Sequence, residues 1–211
     1  MSSYLIIGLT ITFGWIIAWV FHRRSYKSLL ENLELIAIEK SGTIKKGRLF
    51  SLPKLYFTHD GKDVEVSSAS TGISGQSERY TYVLFSGLDF KGFEFRILPK
   101  SVRTIVDDKL AIKRQIPIGD RLFDKYFSVY YNDRDKILKF LDDETKSDLL
   151  KWAQKKPINK ISDIRNYDDK FIFRVYGELK DRYEFEQLLK SAIDFHDSHK
   201  EVLLNFSNVA I

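Results

Sequence analysis

His196-x-x-His199, with Asp194 and Asp197 beside it, is the constellation in this chain with the greatest chemical potential. Side chains three apart share a helix face, so the two imidazoles could in principle hold a metal. The surrounding pattern argues otherwise. His196 falls on the apolar stripe of a helix, where a histidine is ordinarily a core residue, and no third ligand is indicated. No metal is expected. Ser74, in Gly72-Ile73-Ser74-Gly75, stands one residue short of a G-x-S-x-G elbow and lacks its strand–turn–helix setting. The same glycines lack the Lys-Ser/Thr ending of a phosphate loop, so a small-residue loop is expected there. Asp107-Asp108, Asp142-Asp143-Glu144 and Asp168-Asp169 are carboxylate pairs that fit turns and helix starts better than acid–base catalysis. Cysteine is absent, which excludes disulfides, thiolate catalysis and Cys-ligated zinc. The residues thus supply no catalytic signature and imply no cofactor.

The most distinctive run is Ile116-Pro117-Ile118-Gly119-Asp120-Arg121-Leu122-Phe123-Asp124-Lys125-Tyr126-Phe127-Ser128-Val129. Phe123 and Phe127 read as core anchors, and Asp120 and Asp124 as carboxylates that tie down a turn by accepting backbone N–H bonds. A carboxylate working beside Arg121 is the functional alternative. This G-D-x-x-F-D-x-x-F segment, followed by a strand, two short helices, a hairpin and a final helix, resembles a group of bacterial membrane-tethered domains of unknown function. The resemblance covers about residues 109–200. It implies a tethered domain and no particular activity.

The elements that must position these residues follow from periodicity. Tyr4–Phe21 (YLIIGLTITFGWIIAWVF) is eighteen residues without a charge. As a helix it would measure about 27 Å, close to the hydrocarbon thickness of a bilayer. Its start carries no basic n-region and its end no small-residue cleavage site, so an uncleaved anchor is expected rather than a signal peptide. Trp15 and Trp19 lie one turn apart, with Trp19 at headgroup level and Tyr4 at the opposite interface. Gly8-x-x-x-Thr12 and Thr10-x-x-x-Gly14 are small-residue pairs that would allow a second copy of the helix to approach. Ser25–Lys40 repeats Leu29, Leu30, Leu33 and Ile36 at helical spacing and stops at Ser41-Gly42.

From Thr43 the period becomes two, with Gly47–Phe50 as a candidate first strand. Leu55–His59 and Lys62–Val66 around Asp60-Gly61 form a hairpin signal with a type I′ turn. Arg79–Phe85 and the Phe93–Leu98 alternation read as strands, and Lys109–Ile118 is a further candidate. Phe127–Tyr131 (strand), Asp133–Leu141 and Asp143–Lys155 (helices) and an Ile161–Tyr167/Lys170–Tyr176 hairpin follow. A helix over about Lys180–His199 carries Phe185, Leu188, Leu189, Ala192, Ile193 and His196 on one stripe. The fold class is α+β: a single N-terminal transmembrane helix, an antiparallel meander, then a β-α-α-β-β-α subdomain. The division is 1–24 anchor, 25–41 juxtamembrane helix, 42–108 β-rich subdomain and 109–211 α+β subdomain.

Charge fixes the expected topology. No basic residue precedes the apolar run, and Arg23, Arg24 and Lys27 follow it, which places the amino terminus outside and the domain in the cytoplasm. Of the net charge of +5, residues 22–50 hold seven Lys/Arg against three Glu, while 51–211 are almost balanced. The basic excess therefore flanks the membrane, and Lys40, Lys45, Lys46 and Arg48 are candidate leaflet contacts. A nucleic-acid binder would need a basic patch in the folded domain itself, and no nucleic-acid partner is expected. The expectation is a single-pass inner-membrane subunit that binds rather than catalyses, with lipid, a protein partner or a second copy as its contacts. A tethered hydrolase acting on a lipid or nucleotide, and a cytoplasmic small-ligand sensor, are the alternatives.

Overall fold

The computed structural model describes residues 2–47, 51–71, 78–100, 117–154, 161–177, 179 and 181–208. Helix α1 (Ser2–Glu39) is one continuous element of 38 residues, about 57 Å long at 1.5 Å per residue. Neither Gly nor Pro interrupts the chain between Gly14 and Gly42, so nothing separates an anchor from a juxtamembrane helix. Its two halves differ. Ile7, Phe13, Trp15, Ile16, Ile17, Trp19 and Val20 are exposed, whereas Leu29, Leu33, Ile36 and Ala37 are core residues. Among the described residues, no helix is long and apolar enough to cross a membrane. The expected span therefore gains no support here. The side chains of Tyr4, Leu5, Ile6, Gly8, Leu9, Ile11, Ala18 and Phe21 lie outside the described ones.

The strands are β1 (Thr43–Lys45), β2 (Lys54–His59), β3 (Lys62–Thr71), β4 (Glu78–Ser86), β5 (Phe95–Pro99), β6 (Phe127–Tyr131), β7 (Ile161–Tyr167) and β8 (Lys170–Tyr176). They form one antiparallel sheet in the order β1-β2-β3-β4-β8-β7-β5-β6. The fold is mixed α+β with a β-meander at one side, as the periodicity implies. The β7–β8 hairpin is inserted between β4 and β5, so strands from 42–108 and from 109–211 share the sheet. Asp60 and Gly61 both have positive φ, 50° and 73°, which gives the β2–β3 hairpin the type I′ geometry that matches strand twist. The first described strand is Thr43–Lys45; residues 48–50 of the Gly47–Phe50 candidate, the 101–116 stretch, the Ser74 loop and Asp107-Asp108 lie outside the described residues.

The remaining helices are α2 (Arg121–Tyr126), α3 (Arg134–Phe140), α4 (Asp143–Gln154) and α5 (Arg182–Asn208). Asp133 caps α3 through the N–H groups of Asp135 and Lys136, and Asp142 accepts from Thr145 at 2.8 Å at the start of α4. These helices lie on one face of the sheet. Phe195 of α5 contacts Phe171 and Phe173, Phe140 of α3 contacts Phe95, and Trp152 of α4 contacts Phe173. Phe123 of α2 stacks on Phe127. Leu55, Phe57, Val64, Val66, Val83 and Phe85 continue that face under α1. Alternation along each strand then assigns the other face: Lys54, Tyr56, Glu65, Tyr80, Tyr82, Leu84, Asp163, Arg165, Ile172, Arg174, Arg96 and Tyr130. No described helix covers it.

Candidate functional site

The helix-free face is where polar side chains from distant segments converge. Register makes this inevitable, because directly opposed residues point to the same side. Asp163 lies opposite Arg174, Arg165 opposite Arg96, and Arg174 opposite Tyr82. Asp163 is only 1% exposed. Its Oδ1 accepts from Arg96 Nε at 3.0 Å, and its Oδ2 lies 3.5 Å from both Arg165 Nε and Arg174 Nη1. Arg174 stacks over Tyr80, 4.0 Å from the ring centre, and Arg165 lies over Tyr167 at 5.6 Å. Burial pushes the Arg165 guanidinium below its ordinary range; the Asp163 carboxylate opposes that, and Arg174 and Arg96 reinforce it.

Next to this cluster sits a second, balanced one. Glu65 accepts from Lys54 Nζ at 2.6 Å and from the Tyr82 hydroxyl. Burial alone would raise the Glu65 carboxyl, but the bonds from Lys54 and Tyr82 outweigh it and hold the carboxyl low. Burial, then the hydrogen bond to Glu65, drives the Tyr82 phenol well above the ordinary tyrosine range.

The Gly119–Phe127 segment is a compact clamp. Asp120 accepts from the backbone N–H of Leu122 (3.0 Å) and Phe123 (3.1 Å) as the N-cap of α2. Asp124 accepts from Ile118 and Gly119, both at 3.0 Å. The N–H of Phe123, before any other cause, holds the Asp120 carboxyl below its usual range. Phe123 and Phe127 are buried with ring centres 4.9 Å apart. Arg121 is exposed.

His196 and His199 do not face one site. His199 Nδ1–H donates to the Phe195 carbonyl at 2.7 Å and its ring packs on Phe195 and Phe140. His196 stacks flat on Phe85 at 4.5 Å and meets instead His59 from the β2–β3 turn. Asp197 accepts from His59 Nε2 at 2.9 Å and His196 Nδ1 at 3.1 Å. One ligand atom from each of the three lies within 4.8 Å of the others, a spacing a cation could bridge. In the structure the carboxylate instead accepts from the two imidazole N–H groups. Burial would raise the Asp197 carboxyl, but His59 and then His196 bring it down. Sequence spacing could indicate His196 and Asp197 but not His59, 138 residues away.

The residues expected at a membrane distribute along α1. Trp15 and Trp19 are exposed, Arg23 lies over the Trp19 ring at 5.1 Å, Arg24 and Lys27 are exposed, and Lys27 pairs with Glu31 at 3.6 Å. Tyr4 and Phe21 fall among the side chains outside the described ones. Lys40, Lys45 and Lys46 are exposed, Lys40 beside Glu39 at 3.4 Å; Arg48 lies outside the described residues. Since α1 does not break, Lys40 stands about 28 Å along the axis from Phe21. On an upright helix that is well beyond a Debye length of about 10 Å at 0.1 M salt. Leaflet contact by Lys40 would require the helix to lie along the surface.

Among known proteins, no family model matches the chain, and no curated protein matches it. A solved structure, that of the mycobacterial trehalose monomycolate transport factor A, TtfA, is similar in fold. It aligns with a TM-score of 0.50 over 80% of this chain and 94% of that one, at 10% identity.

Proposed function

We propose that this chain is a single-pass, membrane-anchored, non-enzymatic accessory subunit that holds its sheet domain at the inner membrane and binds through the helix-free face. The observation that carries the reading is helix α1. Its first half presents exposed apolar side chains around the helix, and its second half is part of the domain core. Burying that many large apolar groups in lipid is their natural resolution. A continuous helix with one end in the core fixes the domain rigidly to whatever the other end enters. Arg23, Arg24 and Lys27 would lie at the cytoplasmic headgroups, leaving the amino terminus outside. Among the described residues, a cleft of about 540 Å³ at the sheet rim is bordered by Asp89, Lys91, Glu94, Asp168 and Asp169. A transport factor of similar fold is compatible with an accessory role.

Co-purification from membranes in mild detergent tests the reading. The expected result is a stoichiometric protein partner that Tyr130→Glu, on β6 at one end of the described strand order, releases without changing the unfolding temperature. A chain that leaves the membrane alone, or a partner retained by Tyr130→Glu, would overturn it.

A further inference from the structure

Three guanidinium groups and one carboxylate meet on the helix-free face, and the count does not balance. Arg96, Arg165 and Arg174 are each 12–13% exposed by side chain, and each has Asp163 as its ion-pair partner. Among the described residues the cluster therefore carries two positive charges in excess. Hydrogen bonding is incomplete too. Arg165 Nε, Arg174 Nε and Asp163 Oδ2 are buried without a hydrogen-bond partner. Arg96 alone makes a well-formed bond to the carboxylate. The neighbouring acid, Glu65, is taken by Lys54 and Tyr82. Holding like charges together in a half-buried site is costly unless an anion completes it.

We propose that Arg96, Arg165 and Arg174 form an oxyanion site for a phosphate monoester group. It rests on the reading of the helix-free face as the binding surface and names the chemistry that surface takes. The charge identifies the class. A phosphate monoester carries about −1.5 to −2 at pH 7, close to the excess of two, whereas a carboxylate would leave one charge unmatched. Guanidinium forks are suited to paired bonds with phosphate oxygens, which a lysine cluster would not provide. Tyr80 and Tyr167, stacked on two of the arginines, hold those forks in plane. The arginines are supplied by β5, β7 and β8, so the site is preformed on rigid strands rather than on a loop. Asp163 sits beneath them as the spacer that keeps three cations together when the anion is absent.

The test uses the full chain in an uncharged detergent. Inorganic phosphate is titrated against thermal unfolding, with chloride at matched ionic strength as the reference. The expected result is a saturable rise in unfolding temperature with phosphate that chloride does not reproduce. Arg165→Gln should weaken phosphate binding roughly tenfold or more. It should also leave the phosphate-free protein at least as stable, since one repelling charge is gone; a merely structural arginine would instead lose stability. Arg174→Lys keeps the charge but loses the fork and the Tyr80 stack, and should likewise weaken binding. Vesicles of neutral lipid with and without phosphatidate identify the source. Binding to phosphatidate vesicles far tighter than to free phosphate assigns a lipid headgroup; equal affinity assigns a soluble phosphate. A phosphate effect equal to that of chloride, or one unchanged in both variants, would overturn the site. The partner release by Tyr130→Glu is read on the same preparation, so loss of the anion site and loss of the binding-face reading are separate outcomes.

Discussion

His196 is a core residue whose burial makes it harder to protonate. It is 3% exposed, stacked on Phe85, and its Nε2 has no partner. Burial lowers its pKa below 6.5; Asp197 and Asp60 oppose that, and His59 adds to it. A histidine harder to protonate when folded takes up protons preferentially when unfolded. Stability is therefore complete above about pH 6.5 and declines as pH falls below it. Thermal unfolding followed between neutral and mildly acidic pH should show this decline, and His196→Phe, which keeps the stack, should flatten it. Parallel profiles for the two proteins would contradict the assignment. The aromatic pair at the clamp makes a larger contribution. Phe127→Ala is expected to cost about 3–5 kcal/mol, as truncation of a buried aromatic does. Asp124→Asn, which weakens the bonds from Ile118 and Gly119, should cost less. Denaturant unfolding measures both. An Asp124→Asn protein of unchanged stability that loses a cellular phenotype would make the clamp a functional site.

At the scale of elements, the joint between α1 and the sheet governs how the domain is carried. Beyond Glu39 the helix is closed by Ser41, whose φ of 52° is left-handed, and Gly42 N–H returns to the Ala37 carbonyl at 2.8 Å. This is a Schellman closure with the positive φ on a serine. A Cβ at Gly42 would lie 2.8 Å from the Tyr56 carbonyl oxygen and 2.9 Å from Leu55 Cδ1. Gly42→Ala should therefore destabilise the domain, and Ser41→Gly should stabilise it by a few tenths to about 1 kcal/mol. Equal unfolding midpoints for the two variants would show that the joint does not constrain the sheet. Elements held by local bonds were legible in the chain. Asp60-Gly61 marks its own turn, Asp133 and Asp142 cap the helices that follow them, and the stripe through Phe185, Leu188, Leu189, Ala192 and His196 turns inward on α5. The arginine cluster was not legible, because Arg96 and Asp163 are 67 residues apart. Each looks like an ordinary polar position of an alternating strand. Only the insertion of β7–β8 between β4 and β5 opposes them.

For the whole molecule, α1 joins the domain core through Leu29, Leu33, Ile36 and Ala37, and no Gly or Pro separates that half from its exposed apolar half. Charge reversal at Arg23, Arg24 and Lys27 should invert or abolish the topology, since the cations farther along stand too far from an upright helix's leaflet to replace them. Protease added to intact spheroplasts reads this directly: the wild-type domain should survive, and degradation of it would reverse the orientation. The attachment itself is the central claim. Membranes from cells making the full chain, washed with alkaline carbonate, test it most directly. An anchored chain stays with the pellet and is freed only by detergent. Release of the wild-type chain into the wash would contradict the account and leave the apolar half of α1 to a protein partner instead of lipid.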